Sequence, residues 1–251
     1  MFLDKIKNAV RIEADRSKHG LPAAAVHSFF DALCMPGLSF ICELKKASPS
    51  KGIICENYKP AEFARDYQTA GAAAISVLTE KNFFLGGIED LKTVRAATNL
   101  PVLRKDFIID EFQIFEARIF GADAILLIAA LLDVKKLAAF IKLAKSLNLD
   151  ALVEVHNKAE LEAALKAEAK IIGINNRDLV SFEVRLETSF ELSDYLFNKL
   201  NQKLPLVAES GIKKPEETQL LSEAGFDAVL VGETLMRAKD KKAMINYLKG
   251  I

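Results

Sequence analysis

Short runs of β-forming residues recur along most of the chain, and each is followed by a polar turn and a segment with helical spacing of its apolar residues. The runs Ala124-Ile-Leu-Leu-Ile128 and Ala228-Val-Leu-Val231 are continuously hydrophobic. That composition is typical of parallel strands covered on both faces. We therefore predict a chain of βα units whose strands begin near Ser39, Ala73, Pro101, Asp123, Asp150, Ile171, Pro205 and Asp227.

Helix boundary signals support this division. Pro60 and Pro215 stand where the first turn of a helix tolerates proline. Asp110 precedes an apolar stripe that includes Phe112 and Phe115, as a helix N-cap would. Glycines that end helices shortly before a strand are expected at Gly71, Gly121 and Gly225.

Repeated βα units of this number favour a (β/α)8 TIM barrel. The competing fold, an open doubly wound sheet, usually has a glycine-rich first turn. Here the first turn is Lys45-Lys-Ala-Ser-Pro-Ser-Lys-Gly52, which has neither a GxGxxG nor a Walker pattern. We predict an α/β fold with one (β/α)8 domain over 1–251. Residues 1–38 would be an N-terminal helical extension that packs on the body and covers the site, and 39–251 would form the barrel.

Composition and charge exclude several classes of function. The chain has 34 basic and 34 acidic residues, so it lacks the positive field that binds nucleic acid or acidic membranes. Cys34, Cys42 and Cys55 have no metal-ligand spacing, and Cys42 falls in an apolar strand. Residues 1–11 lack the apolar core of a signal peptide, and no apolar run approaches the roughly 20 residues of a membrane span. We expect a cytoplasmic protein with no nucleic-acid or membrane partner.

Charged residues at the ends of the predicted strands point to catalysis. In barrels of this kind the active site lies at the C-terminal ends of the strands. Ionisable groups on an apolar strand are costly unless they are paired or used, and a cluster of them shifts each member's pKa. A lysine in such a cluster can act as a general acid and a glutamate as a general base. The candidates are Glu43, Lys45, Lys105, Glu154, Asn175, Arg177 and Glu209.

Two further signals indicate the substrate. The turns after strands seven and eight place Gly211 and Gly232 where backbone N–H groups can face an anion, which favours a phosphorylated substrate. Phe84 and Phe107 lie in loops after strands two and three and could line a pocket for a flat ring. His156 also lies near the rim, and we interpret it as structural.

These motifs resemble the indole-3-glycerol phosphate synthase family over essentially the whole chain. The resemblance rests on several segments that occur in order at the predicted strands. They are Glu43-Leu-Lys-Lys-Ala-Ser-Pro-Ser50, Val77-Leu-Thr-Glu80, Leu103-Arg-Lys-Asp-Phe-Ile108, Leu152-Val-Glu-Val-His156, Gly173-Ile-Asn-Asn-Arg-Asp-Leu179, Ala208-Glu-Ser-Gly211 and Val231-Gly-Glu-Thr-Leu-Met236.

The resemblance implies closure of an indole ring on 1-(2-carboxyphenylamino)-1-deoxyribulose 5-phosphate, with release of carbon dioxide and water. It implies no cofactor and no metal. Lys105 would be the general acid for attack of the ring on the ketone, and Glu154 the base in the dehydration. How Lys45 and Lys105 divide the acid roles stays open.

The resemblance also assigns binding roles. Glu43 pairs with Lys45 near the substrate carboxylate or phosphate, while Asn175 and Glu209 hold substrate hydroxyls. Glu233 stands where the family often has a small hydroxyl residue, so we expect its backbone N–H to bind phosphate and its side chain to turn outward. The remaining expected contacts are Ser210, Gly211 and Gly232 for phosphate, Phe84, Phe107, Leu126 and Leu179 for the ring, and Ser48 and Arg177 at the rim.

Other functions remain compatible with the same residues. A Schiff-base aldolase could use Lys105 or Lys45 as its nucleophile. A neighbouring phosphosugar isomerase would need a different acid/base pair. A phosphate-ligand binding module without catalysis would be expected to have lost strand-end charges that are present here. We expect a monomer, with a weak homo-oligomer as the alternative.

Overall fold

The computed structural model of the protein describes residues 27–179, 181–199 and 204–251. Within these residues, the parallel strands are β1 Ser39–Leu44, β2 Ala74–Leu78, β3 Val102–Lys105, β4 Ala124–Ile128, β5 Asp150–Val155, β6 Ile171–Asn175, β7 Leu206–Glu209 and β8 Ala228–Val231. They form a closed barrel in the order β1-β8-β7-β6-β5-β4-β3-β2, and β2 pairs with β1. Each strand begins within one residue of the predicted position, and the closed barrel confirms the (β/α)8 fold.

Helices surround the barrel and connect its strands. A small antiparallel pair, Ala47–Ser48 with Gly52–Ile53, forms the turn after β1. No helix within the described residues is long and apolar enough to span a membrane. The helices are α1 Phe29–Leu33, α2 Pro60–Thr69, α3 Ile88–Ala97, α4 Glu111–Ile119, α5 Val134–Ser146, α6 Lys158–Lys166, α7 Glu187–Lys199, α8 Pro215–Glu223, α9 Glu233–Arg237 and α10 Lys241–Lys249.

The predicted helix boundaries are confirmed. Pro60 and Pro215 begin their helices, and Asp110 caps α4 with a capping box. The buried residues of α4 are Ile114 and Ala117, whereas Phe112 and Phe115 are only partly buried.

Two apolar layers make up the core. The outer layer lies between strands and helices and includes Cys42, which is fully buried as expected. The inner layer fills the barrel with every second side chain of the strands, as the period-2 alternation of a strand requires. Its members on the strands are Ile41, Ala74, Leu103, Ala124, Leu126, Ile128, Leu152, Ile171, Val207, Ala228 and Leu230.

Helix α1 closes the end of the barrel opposite the strand C-termini. Phe29 inserts into the inner layer, and the backbone N–H of Phe30 donates to Asp150 at the start of β5. The Ser39 hydroxyl, at the start of β1, donates to the carbonyl of Ala32. The described part of the extension therefore packs on the body as expected, but it covers the N-terminal end of the barrel instead of the site. Residues 1–26 of the predicted extension lie outside the described residues.

Candidate active site

A layer of charged side chains occupies the C-terminal mouth of the barrel. It comes from alternate strands, β1, β3, β5 and β7, as a single layer of a (β/α)8 barrel does. Each charge stands two residues beyond an inner-layer side chain, so strand alternation turns it inward. The charged residues are Glu43, Lys105, Glu154 and Glu209, above Ile41, Leu103, Leu152 and Val207.

Lys105 is the centre of this layer. Its Nζ lies 3.0 Å from Glu154 Oε2 and 3.0 Å from Glu209 Oε2. The carboxylates have side-chain exposures of only 3% and 2%, so water does not compensate their charge. Removing one member of such a buried ionic cluster leaves the others uncompensated, which makes the cluster electrostatically sensitive.

The cluster shifts the pKa values of Lys105 and Glu154 in opposite directions, and both shifts favour the charged form. Burial alone would lower the pKa of Lys105, but the charges of Glu154 and Glu209 raise it above the usual lysine value. Burial alone would raise the pKa of Glu154, but Lys105, followed by His156, lowers it well below the usual glutamate value. At neutral pH the site therefore holds a proton donor, Lys105, directly beside an ionised proton acceptor, Glu154.

Glu209 behaves differently although it touches the same lysine. Burial raises its pKa to about 7, and the attraction of Lys105 offsets only part of this effect. Its Oε1 atom has no hydrogen-bond partner among the described residues. A Cβ atom at Gly173 would overlap that oxygen, so the glycine on β6 makes the room that Glu209 occupies.

A second ion pair lies beside this cluster. Lys45 Nζ is 2.6 Å from Glu43 Oε1, and their side-chain exposures are 17% and 3%. A Cβ atom at Gly232 would overlap Glu43 Oε1 and lie 3.0 Å from Lys45 Nζ. The glycine after β8 thus lets this pair approach the turn from which a phosphate contact is expected.

The cluster around Lys105 and the Lys45–Glu43 pair face the same cavity, which has a volume of about 730 Å³. Ser48 is on its rim, and the Ser48 hydroxyl is a buried group with no hydrogen-bond partner among the described residues. The structure brings every residue expected at the site to the wall of this one cavity. They are Glu43, Lys45, Ser48, Phe84, Lys105, Phe107, Leu126, Glu154, Asn175, Arg177, Leu179, Glu209, Ser210, Gly211, Gly232 and Glu233.

The turns after β7 and β8 border one side of the cavity. Ser210 has φ 68° and Gly211 has φ 88°, so the backbone turns sharply here with two consecutive positive φ angles. Asn176 donates from its side-chain amide to the Ser210 carbonyl at 3.1 Å, and its Oδ1 accepts from Ser189. Gly232 is the N-cap of the short helix α9. This side of the cavity can bind an anion through backbone N–H groups.

The opposite side of the cavity is apolar. Phe84 and Phe107 have ring centroids 6.3 Å apart at 53°. Glu80 shapes their loop, because its carboxylate accepts backbone N–H bonds from Asn82, Phe83 and Phe84. Phe83 itself is 59% exposed. The cavity therefore has a face suited to an aromatic ring and a face suited to an anion, with Lys105 between them.

Comparisons with known proteins agree with this geometry. The family model for indole-3-glycerol phosphate synthase matches residues 3–248. The chain is 54% identical to the indole-3-glycerol phosphate synthase of Chloroherpeton thalassium, over 80% of this chain and 76% of that one. It is 46% identical to the synthase of Acetivibrio thermocellus over 100% of both chains. The chain belongs to the indole-3-glycerol phosphate synthase family.

A solved structure supports the fold of this family member at much lower sequence similarity. Crystalline 3-hexulose-6-phosphate synthase superposes with a TM-score of 0.66 at 15% identity, over 85% of this chain and 99% of that one. At this identity the likeness concerns the barrel and not the chemistry.

Glu233 is the first residue of α9, beside the turn from which a phosphate contact is expected. Its Oε1 accepts from Arg237 Nε at 2.9 Å, one turn along α9. Burial would raise the pKa of Glu233, but Arg237, Lys51 and Lys45 lower it. The carboxylate is thus tied within its own helix while it remains near the cations that border the anion side.

Two residues outside the expected set contact members of the site. Asn176 belongs to a quoted motif, yet its bond to the Ser210 carbonyl joins residues far apart in the chain. His156, which we interpret as structural, has its Nε2 atom 3.3 Å from Glu154 Oε1, two residues back along the same strand. The Asn176 contact joins two strands, so it needs the tertiary structure, whereas the His156 contact follows from strand alternation. The described residues contain no group of three or more His, Cys, Asp or Glu side chains placed to hold a metal ion.

Proposed function

We propose that the protein is an indole-3-glycerol phosphate synthase of tryptophan biosynthesis, a carboxy-lyase. It would convert 1-(2-carboxyphenylamino)-1-deoxyribulose 5-phosphate to indole-3-glycerol phosphate, carbon dioxide and water. The observation that carries this proposal is Lys105, held between two buried carboxylates and facing a cavity with an apolar and an anion-binding side. Ring closure needs these three features together.

Lys105 would serve the first bond-forming step. The aromatic ring carbon attacks the ketone carbon, and the carbonyl oxygen takes a proton from the Lys105 ammonium. Loss of the carboxylate as carbon dioxide then restores the aromatic ring. The raised pKa of Lys105, caused by Glu154 and Glu209 against the opposing effect of burial, keeps this donor charged before the reaction.

Glu154 would serve the dehydration. It takes a proton from the carbon next to nitrogen, and a lysine ammonium at the mouth, Lys45 or Lys105, gives a proton to the new hydroxyl. The hydroxyl leaves as water and the double bond of the indole forms. A glutamate with a lowered pKa is ionised over the physiological range and can accept that proton. Lys45, paired with Glu43, lines the same cavity as Glu154 and could assist acid catalysis or bind an anionic group of the substrate.

Substrate binding follows the two sides of the cavity. Phe84, Phe107, Leu126 and Leu179 would hold the ring, and Ser210, Gly211, Gly232 and the backbone N–H of Glu233 would hold the phosphate. Asn175 and Glu209 would bind the hydroxyl groups, with Ser48 and Arg177 at the rim. We further propose that the chain forms a single domain over 1–251 and acts in the cytoplasm. We also propose that it is a monomer, and light scattering of the purified protein tests the oligomeric state.

The decisive experiment is a fluorescence assay for indoleglycerol phosphate with the synthetic carboxyphenylamino substrate. Formation of product together with an equal amount of carbon dioxide supports the proposal, and absence of both contradicts it. Borohydride trapping with sugar phosphates separates the aldolase alternative. That chemistry needs a neutral amine, whereas the surrounding carboxylates raise the pKa of Lys105, so we expect no lysine adduct.

A further inference from the structure

His156 lies directly after β5, between two carboxylates. Its Nε2 is 3.3 Å from Glu154 Oε1, and its Nδ1 is 3.0 Å from Glu160 Oε2. Glu160, on α6, also accepts the His156 backbone N–H at 2.8 Å. Two contacts to one carboxylate fix both the backbone and the ring, so the imidazole has a defined orientation toward Glu154.

This contact makes the two carboxylates beside Lys105 unequal. Lys105 Nζ is 3.0 Å from an oxygen of each, so the lysine itself does not discriminate between them. The difference lies in the other oxygen. Glu154 Oε1 lies 3.3 Å from His156 Nε2, a contact between charges in which Nε2 makes no hydrogen bond, whereas Glu209 Oε1 has no partner of either kind among the described residues. A cation next to one of two coupled carboxylates favours the negative charge on that one.

The groups around His156 keep it charged. Glu154 on its own strand and Glu160 on α6 face the two ring nitrogens, and Lys105 and Glu209 act through Glu154. Lys158 and Arg177 line the adjoining cavity. Burial alone would lower the pKa of His156, but the two carboxylates raise it to about 9.

We propose that His156 is a positioning residue that keeps Glu154 ionised and oriented, and thereby assigns the proton taken up by the carboxylate pair to Glu209. This inference rests on the proposed function, in which Glu154 is the base of the dehydration. The two carboxylates then have different roles. Glu154 accepts a proton in the reaction, while Glu209 is protonated or ionised according to the hydrogen bonds that the substrate hydroxyls make.

The pH profile of His156→Ala tests the inference. In the wild type, the proton bound by the pair near pH 7 goes to Glu209, so Glu154 stays ionised. In the variant the two carboxylates share that proton. We expect the ratio of kcat/KM at pH 6 to kcat/KM at pH 8 to fall about twofold relative to the wild type, because an equally shared proton leaves Glu154 ionised in about half of the molecules at pH 6. Most of the loss should be in kcat, since KM reports binding groups elsewhere in the cavity.

Two further variants separate positioning from packing. His156→Gln keeps an N–H donor without the charge and should restore part of the ratio. Glu160→Gln leaves His156 in place but weakens its orientation and charge, and should lower the ratio less than the alanine variant does. A ratio in His156→Ala equal to that of the wild type would overturn the inference, whether kcat/KM itself is unchanged or falls equally at both pH values.

A readout without turnover keeps the inference distinct from the proposed function. The chain has 3 histidines, so proton NMR of the unliganded protein resolves few imidazole signals. We expect one signal, missing in His156→Gln and retained in His27→Gln, to titrate near the pKa of about 9. A titration near the ordinary value of about 6.5 contradicts the His156 inference. A wild type that forms no indoleglycerol phosphate contradicts the proposed function instead.

Discussion

The two ends of the barrel both bury acidic side chains, but they satisfy them differently. At the N-terminal end, Asp123 accepts the backbone N–H groups of His27 and Val102 and an N–H of Arg95. At the C-terminal end, Glu154 and Glu209 share the side-chain ammonium of Lys105, and one oxygen of Glu209 has no partner among the described residues.

This difference distinguishes a carboxylate that stabilises the fold from one that is placed for proton transfer. Backbone donors cannot leave, so Asp123 is held in one position. A side-chain ammonium can turn toward a substrate, and a coupled pair of carboxylates can exchange a proton with it. The same residue types therefore stabilise the fold at one end and are available for proton transfer at the other.

The strongest test of this comparison is Lys105→Met. The variant removes the shared proton donor but leaves the barrel interior filled. We expect kcat to fall by roughly 10³-fold, because general acid catalysis commonly contributes this much. Lys135→Met, an exposed lysine on α5, is the control and should keep wild-type kcat. Near-normal turnover by the Lys105 variant in the fluorescence assay would contradict the assignment.

Asp123→Asn tests the opposite end. The amide cannot accept all the bonds that Asp123 accepts and leaves Arg95 without its counter-charge. We expect the free energy of unfolding to fall by about 3 kcal/mol in urea titrations, with kcat of the folded protein unchanged. Glu154→Gln is the matched variant and should do the reverse, losing turnover with a smaller loss of stability. If both variants lose turnover equally, the division between the ends is wrong.

Gly173→Ala sharpens the comparison without touching a charge. The added Cβ would overlap Glu209 Oε1 and lie 3.2 Å from Leu152 Cδ1, so Glu209 must move away from Lys105. We expect kcat/KM to fall roughly 30-fold, as small displacements of catalytic groups can cost up to about 100-fold. Gly87→Ala has no atom within 4 Å of the added Cβ and serves as the control. Equal activity of the two variants would remove the proposed role of Gly173.

Glu233→Ser should give the smallest effect. It removes a carboxylate near the anion side and frees Arg237 from its ion pair. We expect KM for the phosphorylated substrate, and the inhibition constant of inorganic phosphate, to fall about threefold at unchanged kcat, as suits a partly exposed charge. Glu233→Asp keeps the charge and should show neither change. A rise in KM for the serine variant would show that the carboxylate assists binding.

Much of this architecture follows from local sequence. Period-2 alternation and the βα repeat predict the strands, and they turn Glu43, Lys105, Glu154 and Glu209 to the inside at strand ends. Helix caps such as Asp110 are equally local. These features depend on neighbouring residues alone, so the chain order determines them, and the family motifs add the expected chemistry.

Only the closed barrel decides which of these groups meet. Lys105 contacts partners 49 and 104 residues away, because the stagger of the strands brings three alternate strands together. The same closure makes Gly173 the space for Glu209 and selects Ile114 and Ala117 as the buried face of α4. Local periodicity fixes the direction of a side chain, but the distance between two side chains on different strands depends on how the sheet closes.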